Sequence, residues 1–384
     1  MLTSISAPEL SERGFLPSED PLRRLPKPFD AWEEAASSLP KLFASDHLRR
    51  NLETLPPFPL EEIATDRERE RAMVLLSYVG HAYVWGGAQP APVLPSRLAV
   101  PWYRVAQALG RPPVLSYSSY ALHNFYRLDP TREIACGNIG LIQNFLAGID
   151  EEWFILIHGD IEHRAAPALA LLHECLEAAE ARDSERLESL LIRVQGSLDS
   201  MYATLKRMPE WCDPYVYFHR VRPYIHGWKN HPDLPEGLIY DGVAEYKGEP
   251  RQFRGETGAQ SAIIPSLDVM LGIEHAQDVL RTYLMEMRTY MPPAHRAFIE
   301  SLEGRGSVRA FVERARRSRL TACYNACVAA VEAFRALHLE YAATYIFRQA
   351  QRDDKNPSAV GTGGTPFMKY LKKHRDETAE HRLS

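Results

Sequence analysis

Apolar positions along this 384-residue chain recur at intervals of three and four over long stretches and nowhere alternate convincingly with period two. That pattern predicts helices and gives no support for a sheet. The first 58 residues are proline-rich with short polar stretches and read as an irregular arm carrying one short helix near 31–37. Segment 60–85 has its charged residues early and its apolar residues late, as expected of a helix whose second half is buried. Gly86-Gly87 and the prolines at 90, 92 and 95 end it. Arg111-Pro112-Pro113 follows a further short helical stretch. From about residue 146 the helical patterns lengthen: 166–208 is almost free of breakers, 209–262 is looser, and helical spacing resumes at 263–287 and 318–347. No internal repeat is present. The expected fold is all-α, with a small N-terminal helical domain over 1–145 packed on a larger C-terminal helical domain over 146–384.

Segment 318–347 contains neither Gly nor Pro. Its apolar stripe runs through Leu320, Tyr324, Cys327, Val331, Phe334, Tyr341 and Tyr345, with one gap of seven that His338 fills. Burial on such a stripe favours the neutral imidazole, the form that binds metals. Two readings remain open on spacing alone: a core histidine satisfied by one hydrogen bond, or an axial ligand to haem iron supplied from a helix.

Composition narrows the field. An apolar share of 45% and a charged share of 25% are those of an ordinary globular protein, and a chain this long needs no cross-link to fold. A net charge of -5 argues against non-specific nucleic-acid binding. The basic run Lys369, Lys372, Lys373, His374, Arg375 is followed at once by Asp376 and Glu377 and reads as a solvated helix end. Cys136, Cys175, Cys212, Cys323 and Cys327 are odd in number and scattered, which suits a reducing compartment; Cys323 and Cys327 share a helical face and read as core. No signal peptide and no apolar run of membrane-spanning length is recognisable, so a cytoplasmic location is expected. His158, Glu162 and His163 fit neither zinc-protease spacing. His295, beside two prolines, is expected to cap a helix or to make a surface hydrogen bond.

Four segments are the most specific in the chain: SAIIPSLDVMLGIEH (261–275), MPPAHRAFIESLEG (291–304), FRALHLEYAATYI (334–346) and GTGGTPFM (361–368). RNLETLPPFPL (50–60), VLSYSSYALHNF (114–125), VRPYIHGWK (221–229) and GLIYDGV (237–243) support them. In joint order and spacing the chain resembles the indoleamine 2,3-dioxygenase family over most of its length. The resemblance implies that His338 ligates haem iron and that Arg335 pairs with Asp268 near the porphyrin. It places Phe154 above the haem, Arg222 on the substrate carboxylate with Tyr217 five positions before it, and Tyr117 along the indole pocket. Thr257 and Gly258 correspond to the small loop residues at the haem edge. The loop over 361–365, with Gly363, Gly364 and Thr365, is expected to close over substrate. Alone, Arg222 would read as a surface arginine before a proline.

His158 stands where mammalian members carry serine, and resembles the distal histidine of tryptophan 2,3-dioxygenases, which accepts a hydrogen bond from the indole N–H. Tyr217 in place of phenylalanine and Thr257 in place of serine are milder departures. The implied reaction adds both atoms of dioxygen across the indole C2–C3 bond to give an N-formylkynurenine-type product. The implied cofactor is haem b, one ferrous iron per chain, with O2 as co-substrate. The expected partner is a small indole, with no nucleic acid, no membrane and a monomer favoured. Two other readings stand beside this one: a haem oxygenase acting on a modified tryptophan, and a non-catalytic haem sensor.

Overall fold

The computed structural model describes residues 10–276, 279–350, 362 and 367–384. The helix predicted at 31–37 is α1, Asp30–Ser37, but the arm holds two more, α2 (Leu39–Phe43) and α3 (Leu48–Glu53). Their sequences are too short to show a period, and each is held by packing of Trp32, Leu39, Leu48 or Leu52 into the core. The arm is therefore structural. Glu33 on α1 is buried and accepts a two-point ion pair from Arg71, Nε to Oε1 at 3.0 Å and Nη2 to Oε2 at 2.5 Å.

Arg71 belongs to α4, Asp66–Trp85, which begins six residues later than its apolar pattern suggests. The reason is local: Thr65 caps it, accepting from Glu68 N–H, while the Glu68 carboxylate accepts from Thr65 N–H at 2.8 Å. From Arg71 to Val84 the helix is buried on every side. Its partner is α5, Ser96–Ala108, which can approach because Gly80 has no side chain; a Cβ there would lie 2.3 Å from the Trp102 ring.

Helix α6 spans Ile149–Leu169, with Asp150, Glu151 and Glu152 in its positively polarised first turn. The predicted continuous stretch 166–208 is in fact divided into the end of α6, α7 (Leu172–Glu180) and α8 (Ser184–Leu205). The break before α8 needs no Gly or Pro: Arg182 takes a left-handed φ of 59°, and Asp183 caps α8 by accepting from Arg186 N–H at 3.0 Å. A single turn, α9 (Pro214–Val216), leads into a π-turn at Tyr217–Val221. Stretch 263–287 likewise divides into α10 (Ile263–Leu271), ended by Gly272 at φ 71°, and α11 (Val279–Arg288). Then follow α12 (Pro293–Leu302), α13 (Val308–Ala315), α14 (Ser318–Ala342, continued by a π-turn to Phe347), α15 (Arg348–Ala350) and α16 (Phe367–Glu380).

The absence of sheet holds except for two small ladders among the described residues. Strand β1 (Val93–Leu94) pairs in parallel with β4 (Ile239–Tyr240), and β2 (Phe125–Arg127) pairs antiparallel with β3 (Ile139–Leu141). Two or three residues are too few to reveal alternation. The protein is predominantly helical.

Two large apolar clusters form the interior. One gathers α6, α7, α8, α10, α12, α13 and α14; Cys327 packs there and donates its S–H to Leu191 O at 3.2 Å. The other gathers α1 to α5 and also takes in Trp228, Tyr240, Tyr283 and Met287 from far along the chain. Among the described residues no helix is long and apolar enough to cross a membrane. His295 is not the surface residue expected: its ring lies 4.6 Å from that of Phe15, and burial pulls its pKa down to about 3.

Candidate active site

Helix α14 carries the exposed His338 among the half-buried Phe334, Leu337 and Tyr341. The His338 ring is solvent-accessible, yet protein surrounds it so deeply that burial pulls its pKa to about 4, with His158 adding to the effect. It therefore stands in a recess open to solvent and is neutral at pH 7. Neither ring nitrogen has a hydrogen-bond partner among the described residues, so a lone pair is available.

Across this space stands α6. One of its turns separates Phe154 from His158, whose ring centroids are 4.7 Å apart. His158 Nδ1–H donates to Phe154 O at 2.7 Å, which fixes the tautomer and leaves Nε2 as an acceptor. Burial lowers the His158 pKa and keeps the ring neutral. Tyr117 packs 5.9 Å from His158, and Tyr217 4.6 Å from Phe154, completing an aromatic wall.

The π-turn explains the five-residue spacing of Tyr217 and Arg222. Arg222 N–H donates to Tyr217 O, so the two side chains leave the same loop side by side. Arg222 is fully buried, and its guanidinium carbon lies 5.6 Å from the Phe218 ring centre. Burial lowers its pKa to about 10, so it is still a cation at pH 7. It is not the surface residue that its local sequence suggests.

Two buried acids join the site that sequence reading did not assign to it. Glu162, one turn after His158, accepts from Tyr117 OH at 2.9 Å and from Ser261 Oγ at 2.8 Å, and burial raises its pKa to about 7. The i,i+4 spacing to His158 is the one signal in the sequence that places both side chains on a single face of α6. Glu256 is buried beside Tyr117, Tyr120 and Tyr217, and burial raises it to about 8. Nothing in its local sequence signals this.

The loop after Glu256 presents Thr257 half-buried and Gly258 exposed, with open space where a Cβ would be. It is tied down at two points. Gly227 and Gly255 touch backbone to backbone, since a Cβ on Gly227 would lie 2.1 Å from Gly255 N. Thr362 Oγ1 donates to Glu256 O, and Thr362 O accepts from Gly227 N–H at 3.3 Å. Gly361, Gly363, Gly364 and Thr365 lie outside the described residues. One turn before His338 on α14, Arg335 Nη2 meets Asp268 Oδ2 at 2.6 Å, and both side chains are nearly buried.

A model of the indoleamine 2,3-dioxygenase family matches residues 6–381. The chain belongs to this family. It is 37% identical to indoleamine 2,3-dioxygenase 1 of Rattus norvegicus over 95% of its own length and 92% of that protein. Against indoleamine 2,3-dioxygenase 2 of Homo sapiens the identity is 34%, covering 96% of this chain and 93% of the relative. The indoleamine 2,3-dioxygenase of Saccharomyces cerevisiae is 31% identical, covering 95% and 90%. Indoleamine 2,3-dioxygenases are haem-dependent oxidoreductases that use dioxygen. The residues here fit that group: a neutral imidazole with no hydrogen-bond partner among the described residues stands near His158 and its aromatic neighbours Phe154 and Tyr117, and a nearly buried ion pair fastens its helix.

Proposed function

We propose that this protein is a haem-dependent dioxygenase that cleaves the indole C2–C3 bond of L-tryptophan, or of a close carboxylate-bearing relative, to an N-formylkynurenine-type product. His338 would hold a haem b, which in its ferrous form supplies the activation of dioxygen. The protein's own residues do the rest. Arg222 binds the substrate carboxylate with its planar fork. Phe154, Tyr117 and Tyr217 form an apolar wall that positions the ring and excludes water. Thr257 and Gly258 border the entrance, and Gly363, Gly364 and Thr365, outside the described residues, keep the substrate-closing role that the family resemblance gives them. Arg335 and Asp268 hold the His338 helix in place.

The single observation that carries this reading is His158. With Nδ1–H committed to Phe154 O, its Nε2 faces the site as an acceptor, matched to the indole N–H. The buried cation Arg222 favours a substrate with a carboxylate over a gaseous ligand. The reading keeps a smaller N-terminal unit over 1–145 and a larger helical unit over 146–384 that carries the site, with Trp228, Tyr240, Tyr283 and Met287 of the larger unit packed into the apolar cluster of the smaller one. Five unpaired cysteines suit a cytoplasmic protein, and the reading takes a monomer as the working unit.

The test is incubation of reduced, haem-loaded protein with L-tryptophan and isotopically labelled oxygen, followed by mass spectrometry of the product. Two labelled atoms per product are expected. One labelled atom would replace this reading with monooxygenation, and no product despite bound haem would remove L-tryptophan as the substrate.

A further inference from the structure

Within the run read from sequence as a solvated helix end, Lys372 and Asp376 are exposed, but His374 Nε2 is buried. On α16, His374 and Glu377 stand at i and i+3, and the His374 ring lies 4.5 Å from that of His275, in the segment after α10. One ligand atom each from His275, His374 and Glu377 lies within 4.8 Å of the others. Ligands around one zinc ion, bound at about 2.0–2.1 Å, sit roughly 3.3 Å apart. Small side-chain rotations separate the observed cluster from that arrangement.

We propose that His275, His374 and Glu377 form a binding site for a divalent transition metal of the zinc class, distinct from the haem site. Four contacts carry the assignment. His275 Nε2 lies 3.2 Å from Asp268 Oδ2, the carboxylate-to-histidine support that metal-ligating imidazoles receive from behind. His275 Nδ1 lies 2.6 Å from Glu377 Oε2, so the two atoms share a proton in the metal-free form, and that proton is the one a metal ion would displace. Glu377 keeps its other oxygen for Lys373 at 3.4 Å and Ala276 N–H at 3.4 Å, leaving Oε2 to the cluster. His374 Nε2 is buried and has no hydrogen-bond partner among the described residues. A proton on His275 Nδ1, with Arg335 Nη2 at 3.4 Å from Nε2, would satisfy the first pair. It would leave His374 unanswered, whereas a dication satisfies all three. Burial lowers the His374 pKa to about 3, so this ring is a neutral ligand throughout the physiological range.

The site joins the segment after α10 to α16. Its supporting carboxylate, Asp268, is also the partner of Arg335, three residues before His338. A bound ion thus braces the C-terminal helix against the haem-ligating one, with water free to take the remaining coordination position.

The experiment uses haem-loaded protein stripped with a chelator, dialysed against micromolar zinc chloride, and assayed for zinc and iron by elemental analysis. About one zinc per iron is expected for the native protein. A His374→Asn/Glu377→Gln variant that keeps its iron should retain at least tenfold less. Equal zinc in both proteins, or none in the native one, overturns the proposal. Zinc-edge X-ray absorption on the native protein decides independently of the variant's folding: a nitrogen and oxygen shell with imidazole scattering is expected. Sulfur neighbours would place the ion at a cysteine and overturn the assignment.

Discussion

In the function proposed above, His158 and Arg222 would divide substrate recognition between a neutral acceptor and a buried cation, and each makes a separable prediction. His158→Ala removes an acceptor for the indole N–H, and a hydrogen bond of this kind contributes about 1–2 kcal/mol. We expect kcat/KM for L-tryptophan to fall about tenfold, while 1-methyl-L-tryptophan, which has no N–H to offer, changes by less than about threefold. An equal fall on both substrates would mean that His158 acts on something other than the indole nitrogen. Arg222→Leu breaks a buried charge pair with the substrate carboxylate, a loss of about 2–5 kcal/mol. The expected result is a KM for L-tryptophan raised by about a hundredfold or more, with weak turnover of tryptamine left nearly unchanged. Tryptamine losing as much as tryptophan would remove Arg222 from carboxylate binding. Both residues could be singled out from the sequence, but only as members of a family pattern. The buried π-turn that brings Arg222 beside Tyr217 is a packing outcome with no local signature.

At the scale of elements, helix existence was legible and helix ends were less so. The capping box at Thr65 and the left-handed Gly272 are local devices, visible in the sequence once the boundary is known. The break at Arg182 and Asp183 is not, because a non-glycine residue takes the left-handed turn there. The seam between α4 and α5 tests whether packing or propensity rules an element. Ala is favoured over Gly in a helix by about 1 kcal/mol, so propensity alone predicts that Gly80→Ala stabilises the protein. The added Cβ would sit 2.3 Å from Trp102, and overpacking of a buried seam costs about 1–3 kcal/mol. We expect net destabilisation, read as a lower urea midpoint with an unchanged slope. A higher midpoint would show that Trp102 can move aside freely.

Across the whole molecule, burial sets the charge state of the site. Glu162 has its pKa raised from 4.5 to about 7, so the native state holds a proton that the unfolded chain releases. The stabilisation is full below the unfolded value and is lost as pH rises through the folded one. At pH 8 the loss is on the order of 3 kcal/mol. Glu162→Gln cannot ionise and keeps an acceptor for Tyr117 and Ser261. Its unfolding free energy relative to the native protein should therefore rise between pH 5 and pH 8. A difference that stays flat with pH would mean that Glu162 is already ionised in the native site.

Periodicity alone determined that the chain is helical and that one histidine lies on a buried stripe, because helical spacing is a local property of consecutive residues. The ordered motifs added the family, and with it His338, Arg335, Asp268, Phe154, Tyr117 and Arg222 as a set. What only the tertiary structure decided is how those groups are charged and partnered. His158 is an acceptor because Phe154 O takes its Nδ1 proton. Glu162 and Glu256 belong to the site because burial strips water from them, and His374 belongs to a buried cluster because α16 folds back on the segment after α10. Desolvation and contact depend on residues a hundred positions away, and no local pattern carries that information.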